Sequence, residues 1–337
     1  MNRALLPACA LAFVAAALDG VSARDAEYRL LNEISIGGEG GWDYIIGDPP
    51  AHRLYVSHAT QVVVVDTTSG DIVGRIPDLP GVHGIALAPR LGRGFTSNGR
   101  ANSSTIVDLK TLQPLGTVPT GANPDSIRYL EDRSEVWTFN HGDGTITAFT
   151  ANDGKVVATI RVGGALEEAV EDAAAGRVYV NVEDKAVIGV VDTKQHALVA
   201  TWPIPKCAEP TGLAFDEQNH LLLSACQGSM AVVDSRSGTV VTRFPIAEGV
   251  DGNGFDPITR MAFASSGRGV LTIAHQDSPR AFTVVQTLST RPSGRTMWLD
   301  PTSHRVYVPA GTQAPGASGR PSVVPGSLKV LVLGAGD

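Results

Sequence analysis

The phrase "HRLYVSHATQVVVVDTTSG" at residues 52–70 returns with variations along the whole chain, and that recurrence limits the possible folds more than any other feature. With Tyr55 as the marker, the same place is filled by Phe95, Trp137, Tyr179, Leu223, Phe263 and Tyr307, at intervals of about 40 to 44 residues. Each copy begins with a segment such as "HGIALAP" or "TGLAFDE", continues with "RLYVS" or "RVYVN", then "VVVVD" or "AVVDS", and closes with "GTVVTRF" or "GKVVATI". The runs are short, rich in Val, Ile, Thr and aromatics, and separated by Gly, Asp, Asn and Pro, which are strand and turn signals. Four antiparallel strands at this period predict a β-propeller blade, and seven copies predict an all-β, seven-bladed propeller over residues 24–337. A linear β-solenoid is the alternative, with periods that are usually shorter.

The ends bear on closure. "LKVLVL" at Leu328–Leu333 is not followed by a fourth strand for the seventh blade, while "YRLLNEISI" at Tyr28–Ile36 precedes the first blade without a blade of its own. The first segment is therefore expected to complete the last blade, removing the open edge of the ring. Residues 1–23 read as a secretion signal: Arg3, an apolar stretch from Ala4 to Leu18, and small residues Val21-Ser22-Ala23 at the cleavage position. The apolar stretch falls short of the roughly 20 residues that span a bilayer, and Leu6-Pro7-Ala8-Cys9 sits too early to be a lipoprotein box. The mature protein is expected to be periplasmic or secreted, without a membrane anchor, and a monomer. Cleavage removes Arg3 and Asp19 together, so the formal charge of −7 persists, which argues against nucleic acid as partner.

The units "RLYVS…VVVVDTTSG" and "RVYVN…VVDT" resemble the YVTN-repeat propellers of bacteria. The phrases "GVHGIALAP", "GRGFTSNGR", "PTGLAFD…LLLSACQG" and "RTMWLDP…HRVYVPA" are similar to the exported, YncE-like branch of that family, and the resemblance covers essentially all of the mature chain. It implies a secreted or periplasmic seven-bladed propeller. It implies less about activity, because members are mostly described as binding proteins of uncertain ligand and one is reported to bind DNA, a property that the acidic charge here argues against.

Strands alternate direction within a blade, so the start of the innermost strand and the end of the second share one face of the disc. Fifteen residues before His58 stands Asp43, and the same offset pairs Asn98 with His83, Asn140 with Asp125, Cys226 with Thr211, Ser266 with Asp251, and Ala310 with Arg295. In the fourth blade the first turn reads as one residue shorter, which selects Glu168, with Glu167 as the alternative. The expected ring at one channel mouth is Asp43, His83, Asp125, Glu168, Thr211, Asp251 and Arg295. Propeller channels are commonly lined by polar residues, so such a ring can be purely structural. Four carboxylates, one His and one Arg in one cleft also suit a binding or catalytic site.

A second ring is expected farther out: His58, Asn98, Asn140 with His141, and Glu183-Asp184-Lys185. His275 should face the opposite side, and His52, His196, His220 and His304 are expected to be solvated turn residues. Cys207 and Cys226 fall on the mouth face of the fifth blade and read as a disulfide in an exported protein; free thiols, or a metal site formed with His83, are the alternatives. The stretch 311–327 is either a cover over the mouth or an ordinary loop.

Three functions follow. The first is binding of a small anionic or hydroxylated ligand, with or without a divalent metal ion, with Arg295 holding a carboxylate. The second is an enzyme, a lactonase or lyase, with His83 as general acid or base, Arg295 neutralising an anionic intermediate, and Asp125 or Glu168 orienting His83 or holding the ion. The third is a protein-interaction scaffold. No nucleophile elbow, phosphate-cradling glycine loop, HExxH pair or EF-hand loop is present.

Overall fold

The computed structural model describes residues 27–315 and 321–336, so the expected leader at 1–23 lies outside the described residues. Among the described residues seven four-stranded antiparallel sheets, one for each sequence copy, form the ring, with one two-stranded hairpin besides. The first blade runs from the inner strand Trp42–Asp48 through Arg53–His58 and Gln61–Asp66 to the outer strand Ile72–Ile76. All seven marker aromatics and leucines lie on second strands, from Tyr55 in Arg53–His58 to Tyr307 in Val306–Ala310. Second strands are packed on both faces by neighbouring blades, so they are buried along nearly their whole length rather than at alternate residues. Outer strands such as Ile72–Ile76 are largely exposed.

The turn from inner to second strand has one geometry throughout. It closes on a residue with left-handed φ in each blade: His52, Gly92, Ser134, Gly176, His220, Arg260 and His304. Gly adopts this conformation freely, and the other positions accept its modest strain because the turn fixes them. Asp48, Asp172, Asp216, Asp256 and Asp300 each accept a backbone N–H within the same turn, from Ala51, Ala175, Asn219, Ile258 and Thr302.

The ring closes as the ends of the sequence predict. Tyr28–Ser35 pairs antiparallel with Lys329–Ala335, from Tyr28 opposite Ala335 to Ser35 opposite Lys329. The last blade therefore reads, from rim to axis, Tyr28–Ser35, Lys329–Ala335, Val306–Ala310, Trp298–Leu299. Glu33 reinforces the clasp by pairing with Lys329 at 2.6 Å and with Arg291 at 2.7 Å. Tyr28 packs edge-on against Phe263 of the sixth blade, with ring centroids 5.1 Å apart. Among the described residues no helix is long and apolar enough to cross a membrane.

Two turn histidines depart from the solvated role expected of them. His196 donates to Glu135 at 2.8 Å and leans on Trp137, and His304 pairs with the buried Asp256 at 2.6 Å. Each imidazole thus pins one blade to its neighbour. Of the stretch 311–327, Gln313–Pro315 and Pro321–Val323 pair as a short hairpin whose base is tied to Gly38 through the Gly326 N–H at 2.7 Å. None of its described residues lines the channel mouth.

Candidate functional site

The mouth residues are aimed at the axis by a repeated irregularity. In the first blade Trp42 pairs with His58, but the next regular pair is Ile45 with Val56, so the inner strand carries an extra residue at Asp43-Tyr44. The same shift follows Val82, Pro124, Leu166 and Val250, placing His83, Asp125, Glu167 and Asp251 on bulges. A bulge bends its strand and turns one side chain out of the pleat, here toward the channel. Thr211 and Arg295 occupy the equivalent places in the fifth and seventh blades, where regular pairing starts later, at Leu213 and Trp298.

This register corrects the fourth blade. Leu166 pairs with Val182 and Asp172 with Arg177, giving a turn as long as that between Asp48 and Arg53 in the first blade. The turn is not shortened, so the ring member is Glu167. Glu168, one residue on, points into the channel below and pairs with Arg128. It is removed from the catalytic and metal sets at the mouth.

A cleft of about 280 Å³ opens at the mouth, lined by Asp43, Tyr44, His83, Asn123, Asp125, His141, Glu167, Glu183, Thr211, Asp251 and Arg295. His83 Nδ1 lies 2.6 Å from Asp43 Oδ2 and 3.0 Å from Asp125 Oδ1. His141 Nδ1 lies 2.9 Å from Glu167 Oε1. Arg295 reaches Asp251 through Nε at 3.0 Å and Asp43 through a terminal nitrogen at 3.3 Å. Tyr44 donates its hydroxyl to Asp125 Oδ2 at 3.2 Å and lines both this cleft and the axial cavity beneath it, forming a floor between them.

Negative charge dominates the electrostatics. Burial, and then the neighbouring Asp43 and Glu167, push the Asp125 carboxyl well above the usual carboxylate range. Burial likewise raises Asp251 to about 7 despite Arg295 beside it. Burial alone would lower His83, but the hydrogen bond to Asp43 and the charges of Asp125 and Asp43 hold it up at about 9. The hydrogen bond that His141 donates to Glu167 does the same for His141, also about 9. Burial and then Glu167 raise Glu183. Protons are retained here because carboxylates outnumber fixed cations.

The outer ring does not form as expected. His58 is fully buried, with Nδ1 on the Gly41 carbonyl at 2.9 Å. Asn98 accepts from Thr96 and donates to Thr105, and Asn140 accepts from Thr138 and donates to Thr145 and Thr147. The two asparagines lock the hairpin between second and third strands with both ends of their amides engaged, while His58 ties that hairpin to the loop before the inner strand. Their bulged partners, not they, face the axis. His141 and Glu183 do reach the cleft, whereas Asp184 accepts the Ala165 N–H at 2.8 Å. Cys207 and Cys226 are joined, closing a loop of 19 residues in separation.

Tyr44 and Asn123 are the residues that sequence reasoning missed. A signal existed for Tyr44: its register equivalents are Gly84, Ser126, Glu168, Gly212, Gly252 and Thr296, so one bulky aromatic stands in a row of mostly small residues. Asn123 sits in a loop just before an inner strand and hydrogen-bonds the His83 ring, a contact that spacing does not reveal.

No family model matches the chain. It is 29% identical over 87 residues to YncE of Salmonella typhimurium and of Salmonella typhi, proteins described as uncharacterised; the match covers 25% of this chain and 24% of theirs. The match thus spans about a quarter of those relatives' length. Hydrazine synthase of Kuenenia stuttgartiensis superposes with a TM-score of 0.71 over 85% of this chain and 96% of that one, at 13% identity, a likeness of fold. Together with the seven-bladed architecture, these matches support a YncE-like β-propeller.

Proposed function

We propose that this is an exported binding protein whose channel mouth takes a positively charged ligand: a divalent metal ion, alone or carrying a small hydroxylated molecule. One observation carries the reading. Five carboxylates, from Asp43, Asp125, Glu167, Glu183 and Asp251, meet a single guanidinium, and that guanidinium is engaged by two of them. Arg295 is therefore spent on organising Asp43 and Asp251 rather than held ready for an anion. A cation entering the cleft replaces protons that the carboxylates and imidazoles otherwise retain. Hydrolysis with His83 as base has less support, since its Nδ1 is held between two carboxylates. Export is supported by the apolar run at residues 4–18 and by the Cys207–Cys226 disulfide, which belongs to an oxidising compartment.

The test is a thermal-shift and calorimetric panel on the mature protein, with Mn²⁺, Zn²⁺ and Ca²⁺ set against citrate and simple sugars without metal. Saturable stabilisation by a divalent cation is expected. Stabilisation by metal-free citrate alone would return Arg295 to the role of anion grip and overturn the reading. Intact mass of periplasmic protein should place its start near Arg24, and retained Met1 would remove export.

A further inference from the structure

The mouth holds two sets of groups with metal-ligand spacing, and the sets share one residue. Asp43, His83 and Asp125 offer ligand atoms that all lie within 4.8 Å of one another, and so do Asp125, His141 and Glu167. Resting on the cation reading above, we infer that the mouth binds two divalent metal ions, with Asp125 as the bridging carboxylate between them.

Each ion has a distinct donor set of one imidazole and one private carboxylate: His83 with Asp43, and His141 with Glu167. Asp125 supplies the third donor to both, because a carboxylate has two oxygens and can span ions about 3.5 to 4 Å apart. Asp125 suits a bridge in position, since it comes from the third blade and sits between His83 of the second and Glu167 of the fourth. It also suits one in burial, being only 8% exposed. Charge gives an independent count. Five carboxylates against one guanidinium leave a formal −4 when both imidazoles are neutral ligands, which two divalent cations balance and one does not.

The groups behind these ligands are arranged to aim them. Asn123 hydrogen-bonds the His83 ring whose Nδ1 faces the two carboxylates, a backing partner of the kind that fixes a ligating imidazole. Arg295 holds Asp43 through the oxygen that His83 does not use, and Tyr44 donates to the Asp125 oxygen that His83 does not use. Mixed imidazole and carboxylate donors favour Mn²⁺ or Zn²⁺ over Ca²⁺, which prefers oxygen donors alone.

Mn²⁺ is the probe for the test, because its stoichiometry and its electron paramagnetic resonance are both readable. Wild-type mature protein should take up two Mn²⁺ per chain and give an exchange-coupled spectrum. His141→Ala should retain one ion with an uncoupled spectrum, and Asp125→Asn should weaken uptake of both by roughly tenfold or more. Circular dichroism checks that each variant folds; if Asp125→Asn does not, Glu167→Gln should reproduce the loss of one ion. One ion in the wild type, or two without coupling, overturns the bridge while leaving a single-cation mouth intact. No uptake of any divalent cation overturns the bridge and the proposed function together.

Discussion

The two ends of the propeller use the same side chains to opposite effect. At the end away from the mouth, two turn histidines each meet one carboxylate: His304 with Asp256, His196 with Glu135. At the mouth, His83 alone sits between two carboxylates, and three more lie in the same cleft. The first arrangement pins neighbouring blades together. The second crowds carboxylates that must hold protons because too few fixed cations neutralise them, which costs stability and is the usual mark of a site shaped for a ligand.

The sharpest way to break this contrast is to remove a carboxylate from each end. Asp256 is 1% exposed and accepts from His304, the N–H groups of Ile258 and Thr259, and the Thr259 hydroxyl. At about 1 kcal/mol for each bond, Asp256→Ala should cost about 4 kcal/mol in urea denaturation. A loss within experimental error would show that the turns do not carry the stability assigned to them.

A somewhat smaller effect should follow reduction of Cys207–Cys226, the covalent staple of the mouth face, whose 19-residue separation corresponds to about 3 kcal/mol of chain entropy. Non-reducing peptide mapping that found both thiols free would dispose of it.

Asp125→Asn, the counterpart at the mouth, should go the other way and make the metal-free protein about 1 kcal/mol more stable at neutral pH, because it removes a carboxyl that burial, and then Asp43 and Glu167, keep from ionising. Destabilisation comparable to Asp256→Ala would make the mouth structural and erase the distinction between the ends.

The smallest effect tests whether burial of charge has a cost away from the mouth. Glu171, on the fourth inner strand but near its far end, has its carboxyl raised to about 7 by burial and then by Asp132. Its folded value lies above its unfolded one, so the stability it allows is full in acid and is lost as pH rises through that range. Glu171→Gln should therefore raise the melting temperature slightly near pH 8 and leave it unchanged near pH 4.5. An equal shift at both would exclude ionisation as the cause.

Repetition fixed the architecture without any tertiary information. Seven phrases with turn residues at constant offsets define seven hairpin-linked blades, and an unpaired segment at each end has only the other to complete it. The offset of fifteen residues also located six of the mouth positions correctly, because hairpin register is set by turn length. Tertiary structure decided where each side chain points. Glu167 rather than Glu168 stands at the mouth because the turn from Asp172 to Arg177 is as long as that from Asp48 to Arg53, and not one residue shorter. Asn98 and Asn140 lie on the mouth face, yet their amides are consumed by threonines on the adjacent strand. Arg295 looked available for an anion until Asp251 and Asp43, from other blades, closed on it. The Asn–Thr bonds are local to one hairpin, whereas the contacts of Arg295 with Asp251 and Asp43 join residues tens to hundreds apart in sequence, and the one with Asp43 forms only once the ring has closed.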